Sequence, residues 1–68
     1  MKSELQNNVH AVRTDMGVTQ EALAQEVGVS RQTILAIEKG NYEPSVLLAL
    51  RIARFFRQPV EKIFHIHK

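Results

Sequence analysis

One glycine, Gly28, set between two short segments that each carry their own start signal, constrains this chain more than any other feature. Upstream, Thr19 can accept a hydrogen bond from the free amides of the turn that follows, and Glu21 places negative charge near the positive helix end. Leu23, Ala24 and Val27 make one apolar face, so the spacing predicts a helix from Gln20 to about Val27. Downstream, Ser30 is a second cap, Ile34 and Ile37 are an inward pair and Gly40 is a stop. Two helices joined so tightly cross at a steep angle, which demands particular residues. Gly28 can take the positive φ of the turn, Ala24 is small where the second backbone approaches, and Leu23, Val27, Val29, Ile34 and Ile37 can fill the wedge. Arg31, Gln32, Leu35, Ala36 and Lys39 are left on the outer side.

The flanking sequence reads as more helix. Leu5, Val9, Val12 and Met16 recur at i, i+4, i+7 and i+11 and predict a first helix that Gly17 ends. Ser3, Asn7 and Asn8 are its alternative caps; if either asparagine is the cap, residues 1–6 are a tail or a short strand. Gly40-Asn41-Tyr42-Glu43-Pro44 is a surface loop, and Ser45 caps a fourth helix from Val46 to about Arg57. Its expected inward face is Val46, Ala49, Leu50, Ala53 and Phe56, with Arg51 and Arg54 turned away. Pro59 suits the start of a short fifth helix, Val60 to Phe64, and the alternation in Phe64-His65-Ile66-His67 is a weak strand signal. The expected fold is an all-α bundle of five helices with a possible short terminal strand, one domain over residues 1–68 with its core at about 8–64.

Composition narrows the function classes. A chain of 68 residues closes one core and has little room for a deep pocket or a large cofactor. It has no cysteine, so disulfides and thiolate metal sites are excluded. No apolar run is long enough to span a bilayer and the N-terminus lacks the segments of a signal peptide, which makes a cytoplasmic location the expectation, without membrane association. No triad motif and no glycine-rich phosphate loop is present, so no enzymatic activity, cofactor or small-molecule substrate is expected. A net charge of +2 is compatible with a polyanionic partner without requiring one.

Thr19-Gln20-Glu21-Ala22-Leu23-Ala24, then Gly28-Val29-Ser30-Arg31-Gln32-Thr33-Ile34, Ile37-Glu38-Lys39-Gly40 and Pro44-Ser45 resemble the Cro/CI-type, or XRE, helix-turn-helix family, with a match over roughly Asn8 to Phe64. The resemblance implies a five-helix repressor-type DNA-binding domain, and a transcriptional regulator that binds double-stranded DNA, commonly as a homodimer on a palindromic operator. In that docking mode the second helix of the pair enters the major groove by its N-terminal residues and the first crosses the phosphate backbone. Carried onto this chain, Arg31 would pair with guanine and Gln32 with adenine, while Ala36 and Leu35 could touch a thymine methyl. Gln20, Ser30, Thr33, Lys39, Asn41 and Tyr42 would contact the backbone, which positions without specifying. Gln20, Ser30 and Asn41 serve equally as ordinary cap or turn residues, and Tyr42 as a cover for the loop. The family often pairs the positions of Arg13 and Glu38, so these two are expected to form a partly buried ion pair.

Several residues depart from the pattern or lie outside it. Leu35 and Leu47 stand where the family more often has polar residues, Arg57 where it commonly has glycine and Pro59 where Ser or Thr is frequent. Leu47, Leu48, Phe55, Phe64 and Ile66 exceed what so small an interior needs: either they complete a small core or some are exposed for self-association, with Leu47, Phe55, Phe64 and Ile66 as the candidate dimer interface. Arg51, Arg54 and Arg57 form either a basic ridge or a plain solvated face. His65 and His67 share a side of an extended tail, but with His10 they make an incomplete metal shell, so no metal site is assigned. The alternative reading is a protein-interaction adaptor or antitoxin-like module with secondary DNA binding, which Leu35 and Leu47 keep open.

Overall fold

The computed structural model describes residues 4–66. Its element order is β1 (Leu5–Asn7), α1 (Val9–Asp15), α2 (Gln20–Val27), α3 (Arg31–Glu38), α4 (Val46–Phe56), α5 (Val60–Ile63) and β2 (Phe64–Ile66). Among the described residues no helix is long and apolar enough to cross a membrane.

Local chemistry sets most boundaries. The hydroxyls of Thr19, Ser30 and Ser45 accept from the backbone N–H of Ala22, Thr33 and Leu48, which satisfies one of the free amides at the start of α2, α3 and α4. Gly28 holds φ 79° between α2 and α3, a left-handed conformation that a side chain would strain. Leu23, Ile34, Ile37, Ile52, Ile63 and Val9 are the largest fully buried side chains, so all five helices contribute to one core.

The first and last segments meet as an antiparallel pair with register Leu5↔Ile66, Gln6↔His65 and Asn7↔Phe64. The weak strand signal at the tail is therefore real, although His67 lies outside the described residues. Of the alternatives at the N-terminus, the short strand holds: Asn8 occupies the cap position of α1, Leu5 lies in β1 and Ser3 falls outside the described residues. Met16 is half exposed rather than inward, because α1 stops one residue before it. Asn8 makes no capping bond of its own. Its side chain donates to the Lys62 carbonyl at 3.0 Å, and the Asn7 Oδ1 accepts from the Val9 N–H at 3.0 Å instead.

Two expectations need correction. The inward face of α4 is Leu48, Ile52, Ala53 and Phe56, whereas Val46 and Leu50 are 76% and 49% exposed. Val46, Leu47, Leu48 and Leu50 are all apolar, so two stripes of helical period fit the start of this helix, and Ile52 and Phe56 choose between them. The fifth helix ends at Ile63. Phe64 is 8% exposed and packs into the core from β2, which removes it from the candidate dimer interface.

Candidate nucleic-acid interface

The α2–α3 pair places the predicted reading residues as the helical period requires. Burying Ile34 and Ile37 turns the opposite face of α3 outward, and Arg31 and Gln32 in its first turn are both exposed. Leu35 and Ala36 are half-buried on the same helix, yet neither belongs to the hydrophobic core or to the apolar residues packed against it. Eight residues of helix span about 12 Å, comparable to the width of a major groove.

Around this helix the other predicted contacts divide. Lys39, Asn41 and Tyr42 are exposed where the chain leaves α3. Ser30 and Thr33 are tied to each other: besides the cap, their hydroxyl oxygens lie 3.1 Å apart. Gln20 is half-buried and its side-chain amide donates to Glu38 Oε1 at 3.1 Å, so the side chain expected at a phosphate is engaged within the fold. With the Ala22 amide taken by the Thr19 cap, the amides before it in α2 are the groups suited to an anion there.

Glu38 is the hub of a polar cluster behind α3. Arg13 donates from Nε to Glu38 Oε2 at 2.6 Å, from Nη2 to Oε1 at 3.2 Å and from Nη1 to the Val18 carbonyl at 2.8 Å. Arg13 and Glu38 therefore meet as expected, with side chains 9% and 5% exposed. Their cluster includes two members that reasoning from sequence missed. One is the Gln20 amide; the other is His10, whose Nδ1 lies 3.1 Å from both Glu38 Oε1 and Arg13 Nη2. The i, i+3 spacing of His10 and Arg13 on one helix face was the available signal. Burial alone would raise the Glu38 pKa, but hydrogen bonds from Arg13, Gln20 and His10 and the charge of Arg13 outweigh it and hold the carboxyl below its ordinary value.

The remaining candidates separate by exposure. Leu47 and Ile66 are open to solvent at 58% and 69%, next to the exposed Val46 and Leu50 in the case of Leu47, whereas Phe55 is half-buried against Phe56, their ring centroids 5.7 Å apart. Arg51 and Arg54 are exposed and border a shallow groove with Glu26 and Phe55. A Cβ on Gly28 would lie 3.7 Å from the Arg51 guanidinium, which places that arginine over the turn between α2 and α3. His65 is exposed and pairs with Gln6 across the strands.

Comparison with known proteins agrees with this geometry. A helix-turn-helix family model matches residues 9–63. An uncharacterized HTH-type transcriptional regulator of Methanocaldococcus jannaschii is 52% identical over 60 residues, 88% of this chain and 91% of that one. The uncharacterized HTH-type transcriptional regulator YgzD of Bacillus subtilis is 45% identical over 64 residues, 94% of this chain and 97% of its own. Among solved structures, the restriction-modification controller protein C.AhdI of Aeromonas hydrophila superposes with a TM-score of 0.76 at 25% identity, over 81% of this chain and 83% of that one.

Proposed function

The chain belongs to the XRE-type helix-turn-helix family, as a transcriptional regulator with a helix-turn-helix DNA-binding domain, and from that premise we propose that it binds a palindromic operator as a homodimer and represses by occupying it. Its relatives and its fold are those of DNA-binding regulators rather than enzymes. In this reading the protein acts in the cytoplasm, where its duplex partner is.

The observation that carries the reading is the free first turn of α3. Arg31 and Gln32 stand exposed on a helix whose opposite face is locked into the core by Ile34 and Ile37. Arg31 can donate both arms of its guanidinium to a guanine edge and Gln32 can pair with adenine, each worth ~1–3 kcal/mol of discrimination. Leu35 and Ala36 follow on the same face as apolar partners for a thymine methyl. Ser30, Thr33, Lys39, Asn41, Tyr42 and the first-turn amides at Gln20 set the orientation on the phosphates. A second copy would engage through Leu47, with Val46 and Leu50 beside it, because these side chains make an exposed apolar patch at the start of α4.

Selection of binding sites from random duplexes tests the whole reading. The expected result is two inverted half-sites about 34 Å apart, bound at least ~10³-fold more tightly than random sequence, with affinity falling steeply as salt rises. Duplex binding without sequence preference would overturn it and favour the adaptor reading, for which Leu35 and the apolar start of α4 are the supporting features.

A further inference from the structure

Asn7 ties β1 to α3 through its side chain. Its Nδ2 donates to the Ile37 carbonyl at 2.9 Å, across thirty positions of sequence, while its Oδ1 accepts from the Val9 N–H. A donor on one side and an acceptor on the other fix which end of the amide is which. Strand pairing with Phe64, itself in the core, holds the Asn7 backbone in place.

The carbonyl it meets sits at a sensitive point. Ile37 O also accepts from the Gly40 N–H at 3.0 Å, and Asn41 N–H closes on Ala36 O at 2.9 Å, so the last turn of α3 is finished by Gly40 in a left-handed conformation. The next residue, Glu38, is gripped by Arg13 and Gln20. The far end of α3 is thus pinned twice, through its main chain by Asn7 and through a carboxylate by Arg13, and Lys39, Asn41 and Tyr42 emerge directly from that point.

We propose that Asn7 is a positioning residue for base reading: its side-chain amide fixes the tilt of α3 and the path of residues 39–42, so that Arg31 and Gln32 meet base edges in register. The inference rests on the reading of α3 as the helix that enters the groove. A cap for α1 needs only the oxygen of Asn7. The second contact needs the nitrogen, and it spans from the terminal strand pair to the reading helix.

The two roles are separable by Asn7→Asp, which keeps an acceptor for Val9 and loses the donor to Ile37. Its added charge weakens binding to every duplex alike and cancels in the ratio of operator to random-sequence affinity. That ratio is expected to fall roughly tenfold, the equivalent of one lost hydrogen bond. Amide exchange at Gly40 and Asn41 should quicken. Asn8→Ala is the matched control, because it removes the bond to Lys62 at the other side of the same joint; it should lower stability in urea and leave the ratio unchanged. An unchanged ratio in Asn7→Asp, or an equal fall in Asn8→Ala, overturns the proposal. A parent protein without any sequence preference instead overturns the DNA reading, and it does so before any substitution is made.

Discussion

α3 and α4 begin alike and face the solvent differently. Each is opened by a serine whose hydroxyl accepts from the amide three residues on, Thr33 after Ser30 at 3.2 Å and Leu48 after Ser45 at 3.1 Å. α3 buries Ile34 and Ile37 and turns Arg31 and Gln32 outward; α4 buries Leu48, Ile52, Ala53 and Phe56 and still leaves Val46, Leu47 and Leu50 uncovered. Caps and period decide where a helix lies, and the outer face decides what it meets. A polar first turn suits the edges of bases and an apolar one suits a second protein surface. The anchoring differs to match. With two buried apolar side chains against four, α3 depends on polar ties at its far end, where α4 is held by packing.

Breaking the polar ties is the severest test of that contrast. Arg13→Ala leaves the Glu38 carboxylate in a site 5% open to solvent, and the expected loss is about 3–5 kcal/mol in urea unfolding. Replacing both partners by apolar residues, Arg13→Met with Glu38→Leu, should cost much less, because the buried charge goes with its partner. If the double variant is as unstable as the single one, the cluster does not anchor α3 through charge pairing. The same cluster fixes a pH dependence. The folded state holds the Glu38 pKa below its ordinary value, so the unfolded chain takes up the proton first as the pH falls. The contribution is complete above the ordinary glutamate pKa and is lost as the pH drops through the lowered folded value; Glu38→Gln should flatten that slope in acid titrations followed by circular dichroism.

The outer faces are tested next. Leu47→Glu puts a charge in the apolar start of α4, and sedimentation should show a monomer whose operator affinity is ~10²-fold lower or worse, since the second half-site no longer binds as part of one body. An unchanged mass would remove Leu47 from the interface and with it the assigned role of this face. On α3, Arg31→Ala should relax preference at one position of each half-site by ~1–3 kcal/mol, while Lys39→Ala should weaken all duplexes alike and reduce the salt slope by about one. Equal effects of the two on preference would show that the polar face holds DNA without reading it.

How far the sequence speaks for itself also differs between these helices. For α2 and α3 the signals are local and agree: caps at Thr19 and Ser30, a glycine between, and apolar residues at a single helical phase. At α4 the first five positions are all apolar, so phase is undetermined locally and only packing against α2 and α5 selects Leu48 and Ile52 over Val46 and Leu50. The terminal strands are a harder case. The tail's alternation is only a weak signal and β1 is legible only as one alternative to a longer first helix, because each three-residue strand exists through the other opposite it. The site shows the same division. Exposure of Arg31 and Gln32 follows from the period of α3, and the meeting of Arg13 with Glu38 follows from the resemblance. The diversion of Gln20 to Glu38, and the grip of Asn7 on Ile37, depend on three elements converging, which no window of sequence contains.

The smallest expected effect lies where the two helices end. α3 passes into its loop through Gly40 at φ 78°, and α4 passes into the turn before Pro59 through Arg57 at φ 59°, the one left-handed residue other than glycine among those described. Both ends use the same bonds, Gly40 N–H to Ile37 O and Asn41 N–H to Ala36 O in one, Arg57 N–H to Arg54 O and Gln58 N–H to Ala53 O in the other. A side chain in this conformation crowds its own carbonyl, at a cost of roughly 1–2 kcal/mol that glycine avoids, and glycine returns part of the gain through the greater freedom of the unfolded chain. Arg57→Gly should therefore raise stability by about 0.5–1 kcal/mol, and Gly40→Arg should lower it by a similar or larger amount. Because Arg57 lies outside the proposed reading surface, the first change should leave base preference intact. A stable Arg57→Gly variant with weakened duplex binding would instead give the basic side of α4 a share in the phosphate contacts, and α4 would no longer be solely the face for a second protein.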